Sequence, residues 1–123
     1  VFVGSSRAER VAAMVQAELV GILRDDCSDP RVALASVVHI RMSPDLRNAY
    51  VDFVPLGGSG DPREILAGLE SAKGYVKRQI AKRLGLRFTP ELHFRLDEQL
   101  ETATRVTHLL NGLVDPAEDE ENE

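Results

Sequence analysis

Residues 71–84 read SAKGYVKRQIAKRL, and what this one stretch becomes decides the rest of the chain. Leu69, Val76, Ile80 and Leu84 recur at helical spacing in and beside it, and every charge inside it is positive. On a wheel of about 100° per residue, Lys73 falls within about 60° of these apolar positions. A straight helix would therefore draw a lysine into its own apolar stripe, which lysine tolerates by snorkelling. Gly74 offers another solution. Glycine costs about 1 kcal/mol relative to alanine inside a helix, and it marks places where a backbone bends or is closely approached. A bend at Gly74 would rotate the two halves, release Lys73 at an exposed joint, and bare backbone that a phosphate can approach. Two helices meeting at Gly74 are expected, with Lys77, Arg78 and Lys82 on the polar side of the second.

Working outward, Asp61 as N-cap, Pro62 at the first helical position and Glu64 open this helical region after the loop PLGGSG. Ile65, Leu69, Ala72, Val76, Ile80 and Leu84 hold its period until GLRFTP (85–90) breaks it. ELHFRLD (91–97) then alternates Leu92, Phe94 and Leu96 against Glu91, His93, Arg95 and Asp97, a strand with one wet face. Residues 98–113 place Leu100, Ala103, Val106 and Leu110 on one helical face. Upstream, Ser6 and Glu9 form a capping box before a helix over 7–24 carrying Val11, Met14, Val15, Leu19, Ile22 and Leu23. DDCSDP stops it. Leu34, Val38, Ile40 and Met42 alternate as a strand, PDLRN turns, and Ala49, Val51 and Phe53 form the second arm of a hairpin.

The order α-β-β-α-α-β, with two helices meeting at Ala72-Lys73-Gly74, resembles the KH-like ribosome-binding factor A family of bacteria. There an Ala-x-Gly interhelical kink replaces the GxxG loop of ordinary KH domains. DPR (29–31), SPDL (43–46) followed by AYV, and RFTPELHFRLD (87–97) are further local matches, and together they span residues 7 to 112. The resemblance implies an α+β, type II KH-like domain with a C-terminal helix and a three-stranded sheet whose helices pack on one face. It also implies a ribosome assembly factor that binds the small (30S) subunit and 16S rRNA near the 5′ end and neck. Such a factor supports late 16S rRNA processing and 30S maturation without catalysis. The expected organisation is a flexible N-terminus (1–6), the KH-like domain (7–113) and a disordered acidic tail (114–123). That tail departs from the family's shared core.

Charge agrees once it is divided. The net charge of −5 argues against nucleic acid, but six acidic groups and no basic one lie in residues 115–123. Without them the chain holds fifteen Lys and Arg against fourteen Asp and Glu, and residues 73–87 carry six cations with no acid. A lysine run is ordinarily a solvated face, yet exposed helices usually mix both signs. The expected RNA site is Ala72, Lys73, Gly74, Lys77, Arg78, Lys82, Arg83 and Arg87. Arg7 and Arg10, beside Glu9, are left as ordinary helix surface. With four Phe and two Tyr, a stacking platform of exposed aromatics on adjacent strands is not indicated. Tyr75, beside Gly74, is the one aromatic placed to meet a base, with packing on the hairpin as its plainer role.

Other classes are weaker. His39, His93, His108, Asp52 and Cys27 form no triad neighbourhood or metal-ligand spacing, so no catalysis, cofactor or metal is expected. The lone Cys27 permits no internal disulfide. No run of apolar residues is long enough to span a bilayer, and VFVGSSRAER lacks a leader pattern, so a cytoplasmic monomer with no membrane partner is expected. The alternative is a non-ribosomal RNA-binding or protein-interaction adaptor, which sensitivity to salt and RNase distinguishes.

Overall fold

The apolar periods build a three-stranded sheet with two helices on one face. The structure, a computed structural model, describes residues 6–58 and 60–114, so of the expected flexible N-terminus (1–6) and tail (114–123) all but Ser6 and Val114, which end helices, lie outside the described residues. The elements are α1 (Ser6–Gly21), β1 (Ala35–Met42), β2 (Asn48–Pro55), α2 (Pro62–Leu84), β3 (Glu91–Leu96) and α3 (Glu98–Val114). β1 and β2 pair antiparallel as the expected hairpin, while β3 pairs parallel to β2 after the α2 crossover, in the order β1-β2-β3. Val15, Leu19, Ile65, Leu69, Val76 and Ile80 from the helices meet Ile40, Met42, Val51, Phe53, Leu92 and Phe94 from the strands in one buried core. The opposite sheet face carries Tyr50, Asp52, His93 and Arg95, set by the strand period of two.

The expected break at Gly74 is not made. α2 is one helix from Pro62 to Leu84, capped by the Asp61 side chain on the Arg63 amide and closed by Gly85 at φ 62°. The magnitudes decide it. A helical glycine costs about 1 kcal/mol. Burying an aliphatic side chain contributes about 1.5–3 kcal/mol, and Leu69 before Gly74 and Val76 and Ile80 after it all sit in the same core. Both halves thereby stay in one continuous helix.

Three further expectations shift. α1 runs on through a single π turn, Ile22–Asp26, before the DPR turn. In β1 a bulge between Val37 and His39 changes the phase, so Val37 packs on the core where Val38 was expected, and Leu34 lies in a 3-10 turn with 41% exposure. α3 forms but packs at the end of the sheet, against β2 and the Leu56–Gly58 turn. Its apolar stripe of Leu100, Val106 and Leu110 is exposed.

Candidate nucleic-acid interface

The basic stretch of α2 separates into a crest and two flanks. Helical spacing puts Ala67, Ser71, Gly74, Arg78 and Lys82 on the side away from the core. Ala67, Ser71, Arg78 and Lys82 are exposed and Gly74 is half-buried. The first three small residues make a low ledge. Arg78 folds back over it, since a Cβ built on Gly74 would lie 3.4 Å from Arg78 Nη1 and meet nothing else within 4 Å. Among the described residues, neither Arg78 nor Lys82 has a carboxylate within 4 Å.

On the flanks the cations are spoken for. Lys73, with 27% of its side chain exposed, reaches Glu70 Oε1 at 2.7 Å, so it snorkels out of the stripe and stands at no joint. Lys77 reaches Glu91 Oε2 at 2.9 Å, and it holds the Glu91 carboxyl below the usual range chiefly through that hydrogen bond. Arg83, on the other flank, bonds Asp26 and Glu18 from the end of α1. Glu70 comes from one turn earlier in α2, and the acids that sequence proximity does not show arrive from α1, the turn after it and β3. Arg87 follows the helix, exposed, with its guanidinium carbon 5.5 Å from the Phe88 ring centroid. Ala72 is half-buried against the core.

Beside the ledge runs a groove whose walls are Asp26, Cys27 and Asp29 on one side and Ser71, Ala72 and Tyr75 on the other. Tyr75, 38% exposed, therefore faces this groove rather than the expected hairpin. Asp29 closes its own turn, accepting the Arg31 amide at 2.9 Å and Arg31 Nη2 at 2.7 Å, which holds its carboxyl below the usual range. That turn packs on α2 at Gly68, where an added Cβ would lie 2.9 Å from Arg31 Cβ. Burial and the neighbouring Asp26 and Asp29 push the Cys27 thiol up, against reactivity.

On the face away from the helices the rings of adjacent strands are half-buried rather than exposed. Tyr50 and His93, paired across β2 and β3, stack with centroids 4.9 Å apart and planes 18° from parallel. Sequence reasoning placed His93 on the wet face but had no parallel register with which to set it beside Tyr50.

A family model described as ribosome-binding factor A matches residues 7–110. The ribosome-binding factor A of Caldicellulosiruptor bescii is 40% identical over 117 residues, covering 93% of this chain and 89% of that protein. That of Thermomicrobium roseum is 42% identical over 110 residues, covering 89% and 84% respectively. The crystal structure of ribosome-binding factor A from Thermus thermophilus superposes with a TM-score of 0.64 at 22% identity, covering 72% of this chain and 94% of that one, which shows the same KH-like fold. With a match over nearly the whole folded part, this chain belongs to the ribosome-binding factor A family.

Proposed function

We propose that this chain binds the small ribosomal subunit through 16S rRNA, near its 5′ end and neck, and supports late rRNA processing and subunit maturation without catalysis. It acts in the cytoplasm as a monomer. The observation that carries the reading is the crest of α2: two cations with no carboxylate partner among the described residues, beside a ledge of Ala67, Ser71 and Gly74. Small side chains let a phosphodiester backbone approach, and unpaired cations neutralise phosphates while releasing counterions. Of the eight residues expected from sequence, Arg78, Lys82 and Gly74 form this contact. Arg87 extends it, and Ala72 lines the adjoining groove. Lys73, Lys77 and Arg83 support the surface from the flanks, since each must leave an acid before meeting a phosphate.

The test is sedimentation with purified small subunits. The wild type should travel with the particle, and Arg78→Glu with Lys82→Glu should fall behind while keeping its circular dichroism spectrum. Co-migration of the double variant would remove the crest from the interface. A protein-adaptor role has one observation in its favour, the exposed stripe of Leu100, Val106 and Leu110 on α3. In that case association in lysate would survive RNase and salt.

A further inference from the structure

We propose that the hairpin turn between β1 and β2 carries a second phosphate site, where Arg47 and Arg87, both held on the ring of Phe88, clasp the RNA backbone beside the α2 crest. The site rests on the proposed function for its partner and adds to it a contact that α2 does not make.

The turn is rigidly built. Leu46 stands at φ 63°, a left-handed conformation that residues other than glycine rarely adopt. It is held there because its amide donates to the Ser43 carbonyl at 2.9 Å and its side chain packs against the core. Asp45 accepts the Ser43 hydroxyl at 2.6 Å and the Arg47 amide at 3.1 Å, and the Asn48 amide donates to Ser43 Oγ at 3.0 Å. Backbone strain maintained by so many contacts is characteristic of ligand clamps and switch regions. What it fixes here is the next residue, Arg47.

Arg47 and Arg87 reach one ring from different loops. The Arg47 guanidinium carbon lies 4.3 Å and that of Arg87 5.5 Å from the Phe88 centroid, so the two cations are at most about 10 Å apart. All three residues are exposed. Among the described residues, neither arginine has a carboxylate within 4 Å. Asp45 is engaged within its own turn, and Glu91 with Lys77. The negative face of the ring offsets part of the repulsion between the cations. A guanidinium over a ring still presents N–H groups to an anion, and an anion between the two offsets the rest.

Continuity with the crest makes that anion a phosphodiester. Lys77, next to Arg78, bonds Glu91, and the Glu91 amide donates to the Arg47 carbonyl at 2.8 Å. Crest and turn are thereby joined through one neutral pair. A nucleic-acid strand offers phosphates at regular intervals and meets both sites in one passage, and the guanidinium fork suits phosphate oxygens.

Binding of end-labelled oligouridylate is followed by anisotropy from low to physiological salt for the full chain and for three variants that each remove two positive charges. These are Arg47→Gln with Arg87→Gln at the turn, Arg78→Gln with Lys82→Gln on the crest, and Arg7→Gln with Arg10→Gln at the exposed start of α1. The turn pair should weaken binding by roughly tenfold at low salt and flatten the slope of log affinity against log salt by about 1.4. The α1 pair should change neither. As a positioning residue, Phe88 should lose affinity several-fold in Phe88→Leu and recover it in Phe88→Tyr, with circular dichroism unchanged in both. An unaltered slope in the turn pair, wild-type affinity in Phe88→Leu, or an equal loss from the α1 pair would overturn the proposal, the last by reducing it to net charge. Polyglutamate displacing the RNA from the wild type but not from the turn pair would also overturn it and assign the arginines to an acidic protein. If the crest pair binds as the wild type does while the turn pair does not, the crest fails and the turn site stands; the reverse result strikes the turn site alone.

Discussion

The crest and the flanks of α2 are drawn from the same few residue types and do opposite work. Along the flanks, Gly68 lets the Asp29–Arg31 turn settle against the helix, and Lys73 and Lys77 on one side and Arg83 on the other each hold an acid. On the crest Gly74 touches only the end of Arg78, and Arg78 and Lys82 hold none. A run of cations in sequence is therefore not a surface of cations in space. Helical geometry sorts the run, and acids distant in sequence neutralise the part that faces the rest of the molecule.

The two glycines give the largest break in the comparison. Gly68→Ala would set a Cβ 2.9 Å from Arg31 Cβ, an atom that cannot rotate away, so α2 or the turn must move. A loss of about 1–3 kcal/mol is expected, read by denaturant unfolding. Wild-type stability would mean that the turn is not fixed on α2. Gly74→Ala, six residues on, should stabilise by about 0.5–1 kcal/mol, because the helix continues through it and its neighbour is a flexible guanidinium. Were the helix broken at Gly74, the same substitution would destabilise. Gly74→Leu should keep the fold while displacing Arg78 and weakening RNA binding.

The smallest effect concerns the flank pair. Glu91 is held below its ordinary 4.5 by Lys77, and Asp29 below 3.8 by Arg31. A lowered carboxylate contributes stability that is fully present above the unfolded-chain value and is lost as pH falls through the folded one. Stability should therefore decline below about pH 4.5, and Glu91→Gln should flatten the upper part of that decline, since of these two carboxylates Glu91 has the higher ordinary value. An unchanged acid limb, followed by thermal unfolding, would show that the Lys77 pair contributes nothing.

Much of the fold was legible in local chemistry. Asp61 with Pro62 marked the start of α2 because a cap and a proline act on their own backbone, and Leu92 and Phe94 marked β3 because strand period is local. The misses are non-local. In VALASVVH (32–39) both phases carry apolar residues, Leu34 and Val38 in one and Ala35 and Val37 in the other, so only pairing with β2 reveals the bulge at Val38. The stripe of α3 reads as a core face, and nothing in its own residues says that the sheet has already been covered by α1 and α2. Gly74 drew notice while Gly68 mattered more for packing, since close approach depends on a turn nearly forty residues away. At the site, the run of cations was legible, but pairing with Glu91 and the stacking of Tyr50 on His93 required the parallel crossover, and pairing with Asp26 and Glu18 required the packing of α1 on α2.

The most direct test of the crest is the salt dependence of small-subunit binding for the wild type, for Arg78→Gln with Lys82→Gln, and for Lys73→Gln with Lys77→Gln. Two lost phosphate contacts should flatten the slope of log affinity against log salt by about 1.5–2 for the crest pair, with little change for the flank pair. Equal slopes for the wild type and the crest variant, or a larger change from the flank pair, would contradict the account.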